Sequence, residues 1–308
     1  MHEGLLKDEA RTDLFMKAID AVVRDRVVLD IGCGLGIFSL FAAQAGAKHV
    51  YAVDSSAILE QTREIVLANG MEEKITLIRG KIEEVDLPVD TVDVILCEWM
   101  GSVVVHASLI ESVIYARDKW LAKDGGVILP DKAELFVFGI EDESYKKDKI
   151  HWWGNVYGFN MAPMAKKAIR EPYMDYVARD NIITDTCSVK VFDMKTITKD
   201  DIYPKEVPFK LKTSVEEYIH ALVFYFDITF SEAKMSLSTG PFVDYYTHWR
   251  PCIFYMNDFI YAGPGETLSG KITMYPNSDP PKSLGVDIDY KFEGWYQTYV
   301  DKSSYILN

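Results

Sequence analysis

Hydrophobic positions over residues 1–130 fall into short continuous runs separated by amphipathic stretches. VVLDIG (27–32), HVYAVD (49–54), ITLIRG (75–80), VDVILCE (92–98) and GVILP (126–130) are rich in Val, Ile and Leu and have the length of buried strands. Between them the spacing predicts helices from about Ile37 to Ala45, Ala57 to Asn69 and Ser108 to Leu121. Such alternation predicts a parallel sheet with crossovers, a doubly wound, Rossmann-like α/β domain.

From Asp131 to the end at 308 the pattern changes to β-branched and aromatic stretches, among them AELFVFGI, SVKVFDM, EEYIHALVFYFDITF, RPCIFYMNDFIYA and GKITMYP, between Gly, Pro and Asn turns. This predicts an all-β barrel or sandwich as the second domain. A stretch from about Glu143 to Val177 interrupts it, carrying Trp152, Trp153, Tyr157, Phe159, Met161 and Met164 among many charges. Aromatic and methionine surface of that kind marks an interface.

Composition narrows the classes. Acids outnumber bases 47 to 33, a net charge of −14, which argues against a nonspecific nucleic-acid binder and suits a cationic partner. Cys33, Cys97, Cys187 and Cys252 are scattered without a CxxC pair, so neither a zinc site nor a disulfide framework is indicated. The opening MHEGLLKDEARTD has no apolar core of a leader, and no run approaches the roughly 18 apolar residues of a membrane span. A cytoplasmic or nuclear location is expected.

The candidate cofactor chemistry lies at the end of the first strand. Gly32-Cys33-Gly34-Leu35-Gly36 follows VVLD and opens a helix at Ile37, and the next strand ends in Asp54. Glycines let a ligand lie against backbone, and an acid at the second strand's end accepts hydrogen bonds from ribose hydroxyls. The loop is GxGxG, not the dinucleotide GxGxxG, and Asp30 directly before it would repel a pyrophosphate. A cofactor without phosphates and with positive centres fits better, as S-adenosylmethionine does with its sulfonium and ammonium. Glu83, after the third strand, suits an adenine amino group, or is a solvated charge beside Glu84. Arg11 suits a methionine carboxylate, or is a surface ion-pair residue.

Cys97-Glu98-Trp99-Met100-Gly101 ends the fourth strand, where open α/β sheets place functional residues. Together with VVLDIGCGLG, LPDKAELFVFGIED, KIHWWGNVYGF and Thr247-His248-Trp249, this motif makes the chain resemble the protein arginine methyltransferases over its whole length. The THW form resembles the type I enzymes, which make asymmetric dimethylarginine. The resemblance implies a Rossmann-like cofactor domain over 1–130, a β-barrel over 131–308, and a dimerisation arm at about 143–177 that includes Trp152, Trp153, Tyr157, Phe159 and Met161. It implies S-adenosylmethionine contacts from Arg11, Asp30, Gly32, Gly34, Asp54, Ile82 and Glu83. It also implies a pair between Asp8 and His248 across the domains, as a tie or a proton relay, and Trp249 in the arginine channel or packed in the barrel.

In that family two glutamates hold the substrate guanidinium, whose five donors and fixed charge call for two carboxylates. The first aligns with Glu98; the second falls on Ala107, and no acid lies between Glu98 and Glu111. His106 adjoins the vacancy but cannot replace a bidentate carboxylate. Ser102 stands where the family has a tyrosine and Leu35 where it has a threonine. The family's aromatic lid helix precedes the HEGLLKDEAR segment, at which this sequence starts, so weak cofactor binding is expected. These departures lead to the expectation of a noncatalytic, prozyme-like subunit that forms a hetero-oligomer with a catalytic arginine methyltransferase, activates it, and meets Arg-Gly-rich substrates through the complex. The alternatives are an active type I enzyme, using Glu111 after loop rearrangement, and an acidic adaptor that recruits Arg-Gly-rich proteins.

Overall fold

The computed structural model describes residues 2–277 and 283–308. The chain starts with α1 (His2–Leu6) and α2 (Glu9–Val22), then alternates β1 (Val27–Ile31), α3 (Ile37–Gln44), β2 (His49–Asp54), α4 (Leu59–Ala68), β3 (Ile75–Arg79), β4 (Val94–Leu96), α5 (Ile110–Trp120) and β5 (Val127–Leu129). The strands form one parallel sheet in the order β3-β2-β1-β4-β5. β1 is central and paired on both sides, so it is buried from Val28 to Ile31, which is why it reads as continuous apolar residues with no alternation. Strand order reverses between β1 and β4, and the crevice beyond their carboxyl ends is where such sheets bind ligands.

α2 had no counterpart in the periodicity reading. Its Phe15, Ala18, Ile19 and Val22 are nevertheless at helical spacing and buried. Phe15 stacks on Phe38 at 4.4 Å and meets Phe230 of the second domain edge-on at 5.0 Å, so the helix is a strut between the two domains.

The second domain continues with β6 (Lys132–Ile140), the insertion with α6 (Glu143–Tyr145), α7 (Ala162–Ala168) and β7 (Tyr173–Met174), and then β8 (Cys187–Asp193), β9 (Val207–Lys212), β10 (Glu217–Phe230), β11 (Met235–Ser238), β12 (Cys252–Ala262), β13 (Thr267–Asn277), β14 (Ser283–Glu293) and β15 (Thr298–Leu307). One antiparallel sheet runs β7-β12-β10-β6-β8 with β11 on β10, the other β15-β14-β13-β9. They meet along β8 with β9 and β12 with β15, giving a closed, barrel-like body. One core cluster is continuous through both domains, and a second gathers on the outer face of the barrel under the insertion.

The insertion is irregular, with a π turn over Lys146–Ile150 and a tight turn over His151–Gly154 before α7. Its root packs on the outer face of the barrel, with Tyr145 stacked on Tyr255 at 4.6 Å and Ile150 against Phe138 and Ile140. Its tip is a turn in which Val156 and Phe159 pair, Gly158 N donates to Asn155 Oδ1 at 2.9 Å, and Tyr157 sits at the apex, 95% exposed.

Candidate active site

The glycine loop leaves β1 and is tied to β2 by Gly32 N and Cys33 N, which donate to Val53 O at 2.8 and 3.2 Å. Gly34 N donates to Asp54 Oδ2 at 2.9 Å, and Thr62 Oγ1 donates to Gly34 O. Gly36, at φ 82, caps α3, and a Cβ there would meet Thr62 Cγ2 at 2.8 Å, so only glycine lets α4 approach this closely.

Two cavities meet at Gly32 and Asp54. The larger, about 700 Å³, is lined among others by Ile82, Glu83, Leu109, Glu111, Ser112 and Lys199. The smaller, about 140 Å³, lies under α1 and is lined by His2, Leu5, Leu6, Arg11, Gly34, Phe38 and Glu98. Together they give an elongated outline that runs from Ile82 and Glu83 past Asp54 to Arg11 and Glu98. Ile82 is buried, and Glu83 accepts from Ser112 Oγ at 2.7 Å, a partner the linear pattern did not reveal.

The placement of Asp30 corrects the sequence reading. It lines neither cavity; its carboxylate is buried beneath the loop and accepts from Ser39 Oγ at 2.6 Å. Burial pushes its pKa up to about 7, with the neighbouring Asp54 charge adding and the Ser39 bond opposing. It braces the loop from behind.

Of the two readings of Arg11, the surface ion-pair residue does not hold: Arg11 is almost wholly buried, borders the smaller cavity, and forks its guanidinium onto Glu98. Nε donates to Glu98 Oε1 at 2.9 Å and Nη2 to Oε2 in a shorter contact, while Nη1 reaches Leu5 O at 3.2 Å and Thr12 Oγ1 at 3.3 Å. Of the five N–H donors of a guanidinium, one is left for a ligand in the smaller cavity.

Glu98 is further held by His248, whose Nε2 lies 3.2 Å from Oε1. On its other side the His248 ring meets Asp8, Nδ1 to Oδ2 at 2.9 Å, and His248 N donates to the same oxygen at 2.7 Å. Asp8 Oδ1 accepts from Arg11 N at 3.0 Å, capping α2. Burial works against the charge on Asp8 and Glu98, but hydrogen bonds from His248 and Arg11 outweigh it and hold both carboxyls below their ordinary values. Burial likewise works against the His248 cation, and its bonds to the two carboxylates outweigh it and raise its pKa. Asp8 and His248 therefore do join the N-terminal segment to the barrel. Trp249 is buried rather than lining an open channel, donating to Met100 O at 3.3 Å and packing edge-on against Phe226.

The loop after Glu98 folds back on itself. Gly101 and Val104 exchange both backbone hydrogen bonds at 3.0 Å, and His106 N donates to Ser102 O at 3.0 Å. Val103, Val104 and Ala107 take φ of 47°, 70° and 53°, a region non-glycine residues rarely adopt and one that gathers at functional sites. Ala107 ends the loop, exposed. His106 is buried with no partner for Nδ1, and burial lowers its pKa, so it stands neutral beside that position. Ser102 Oγ contacts Met174 Sδ at 3.3 Å, which links the loop to the barrel edge.

Comparison with known proteins places these features. An arginine methyltransferase oligomerization subdomain matches residues 131–295, and a methyltransferase domain matches 28–125. The chain is 46% identical over 299 residues to protein arginine N-methyltransferase 1 of Chlamydomonas reinhardtii, covering 96% of this chain and 86% of that protein. It is 45% identical to protein arginine N-methyltransferase 1 of Dictyostelium discoideum, covering 96% and 87%. The chain belongs to the protein arginine methyltransferase family.

Among solved arginine methyltransferases, the Trypanosoma brucei PRMT1 enzyme-prozyme heterotetrameric complex with AdoHcy superimposes with a TM-score of 0.94 at 35% identity, covering 100% of this chain and 98% of that one. Arabidopsis thaliana protein arginine methyltransferase 10 gives 0.88 at 25% identity, covering 99% and 97%. The glycine loop, Glu98 and His248 thus stand in an arginine methyltransferase fold, with position 107 occupied by alanine.

Proposed function

We propose that the chain is an S-adenosylmethionine-binding subunit of a protein arginine methyltransferase assembly, noncatalytic by itself and activating a catalytic sister subunit. The carrying observation is the state of the guanidinium clamp. A carboxylate has about four acceptor sites, and Glu98 already accepts from Arg11 twice and contacts His248. What remains is about one acceptor, and Ala107 adds none. Two missing charge-assisted bonds at roughly 1.5–3 kcal/mol each amount to about 3–6 kcal/mol, or about two to four orders of magnitude in rate. Glu111 does not replace them, because it opens on the larger cavity and lies 4.0 Å from Lys199.

The cofactor site itself is consistent with S-adenosylmethionine. Asp54 suits the ribose hydroxyls, Glu83 the adenine amino group, and the remaining Arg11 donor the carboxylate; bound there, the cofactor supplies an electrophilic methyl group. The Asp8–His248 pair holds the N-terminal segment against the barrel, and the bonds to Asp8 and Glu98 that raise the His248 pKa also fix its ring between the two carboxylates. Support for assembly comes from the matched oligomerization subdomain, from the exposed tip residues Tyr157 and Phe159, and from the heterotetrameric enzyme-prozyme neighbour.

The other reading is an active type I enzyme. It is favoured by the names of the relatives at 46% and 45% identity and by the intact network of Asp8, His248 and Glu98. Transfer of labelled methyl to an Arg-Gly-rich peptide decides between them. The proposal expects background turnover from the isolated chain, and activation of a co-expressed sister enzyme that survives Glu98→Gln in this chain. Robust turnover by the isolated chain establishes the active enzyme instead.

A further inference from the structure

At the end of β10 and β12 remote from His248, a group of aromatic side chains stands in solvent. Tyr218 and Tyr261 face each other across the two strands, with ring centroids 4.9 Å apart, while their neighbours Ile219 and Ile260 point into the core. Phe259 meets Tyr218 edge-on at 5.0 Å, and Tyr296, in the turn between β14 and β15, lies 5.4 Å from Tyr261. Phe259, Trp295 and Tyr296 are 52%, 75% and 65% exposed, an unusual concentration of ring surface for solvent.

The group is held in place. Glu266, itself buried, accepts from Trp295 N and from Gly263 N, which clips the β14–β15 turn onto the end of β12. Tyr261 OH donates to Glu216 Oε1 at 2.7 Å, and Gln297 Nε2 donates to Phe259 O at 3.4 Å. Rings fixed in this way lose little freedom on binding.

Its edge is acidic. Glu216 and Glu217 precede Tyr218, Asp258 precedes Phe259, and Glu141 lies 3.7 Å from His220, whose ring is 6.1 Å from Phe259. The base facing Asp258, Lys146, is buried and gives its ammonium to Asn257 O at 3.2 Å.

We infer that this platform is a second docking site, for an arginine-rich, flexible segment of a protein. A guanidinium stacks on tyrosine and tryptophan faces and forks onto carboxylates at the same time, which an ammonium does less well. A second copy of this chain would set acids against acids at a net charge of −14 each. Nucleic acid is repelled for the same reason. Docking needs no turnover; only its service to methylation rests on the function proposed above. β12 separates the platform from the clamp by about 30 Å at roughly 3.3 Å per residue. A flexible chain of about 30 residues has that end-to-end length, so one arginine-glycine tract can engage both sites and raise its local concentration at the clamp.

Fluorescence anisotropy with the full chain and a labelled Arg-Gly repeat peptide tests this, with a Lys-Gly peptide of equal charge as the comparison. Tyr218→Ser with Phe259→Ser and Trp295→Ser should weaken Arg-Gly binding about tenfold or more, with S-adenosylmethionine titration unchanged. Glu216→Gln with Glu217→Gln and Asp258→Asn should do the same without removing any ring. The proposal is overturned if the wild type fails to bind the peptide, or binds the Lys-Gly peptide equally well. It is also overturned if binding survives both variants but is lost with Glu98→Gln, which would leave the clamp as the sole binding place. Dimer dissociation by the ring variant in sedimentation, without change in peptide binding, would assign the surface to a second copy.

Discussion

Replacing Arg11 with methionine probes the clamp most directly. The methionine stem keeps much of the packing that the guanidinium makes over Phe38 and Phe15, at 4.8 and 5.6 Å from their ring centres. What is removed is the positive charge and its fork onto Glu98, whose side chain is only 18% exposed. Breaking a buried pair from one side costs about 3–5 kcal/mol, because the remaining charge is left without compensation. Here His248 still contacts Glu98, so the lower end of that range is expected. Glu98→Gln alone strands the guanidinium in the same way. The double variant strands neither, and should be more stable than the sum of the two losses by about 1–3 kcal/mol. Urea unfolding followed by tryptophan fluorescence measures all corners of this cycle. The effect has a pH signature too. Glu98 has a folded pKa below its ordinary 4.5, so its pairing stabilises above that value and is lost as pH falls through the lowered one. The difference between wild type and Arg11→Met should therefore be full at neutral pH and shrink in acid. Additive losses within about 0.5 kcal/mol, or a difference independent of pH, would refute the reasoning.

The opposite limb belongs to His248. Its raised pKa means a contribution complete below 6.5 and lost as pH rises through the higher value, so His248→Gln should cost about 1.5–3 kcal/mol on the acid side and progressively less in alkali, read by melting curves across pH. Gly101→Ala should destabilise by about 1–3 kcal/mol or more in thermal melts, since the added Cβ would stand 1.7 Å from His106 O. Asp54→Ala removes both the expected ribose acceptor and the bond that shapes the loop at Gly34, and should abolish S-adenosylmethionine binding in calorimetry; retained affinity would place the cofactor elsewhere. Serine at Tyr157 and Phe159 should dissociate the assembly in sedimentation, because these rings are exposed in the isolated chain.

Most of the architecture was legible because its signals are local. Buried parallel strands read as apolar runs, the barrel strands as alternation, and the glycine loop with Asp54 as a strand–turn–helix followed by an acid. The alanine at position 107 was equally legible, since it is a matter of register along an ungapped loop. α2 escaped the periodicity reading because its apolar face is interleaved with Arg11, Asp13 and Lys17, and one of those charges is itself buried.

What the linear pattern could not supply was the partners. Arg11 and Glu98 are 87 positions apart, and Asp8 and His248 240 apart, so their meeting depends on α2 crossing from the sheet to the barrel. Sequence alone therefore offered Arg11 as either a cofactor ligand or a surface charge. The tertiary structure buried it against a carboxylate, where an unpaired charge is not tolerated. Asp30 moved from the cofactor to the underside of its loop for a similar reason: a strand's side chains alternate between faces, and packing decided that its face met Ser39. Residue types and spacing determined which chemistry this chain carries, and the crossing of α2 decided which acceptors remain open for it.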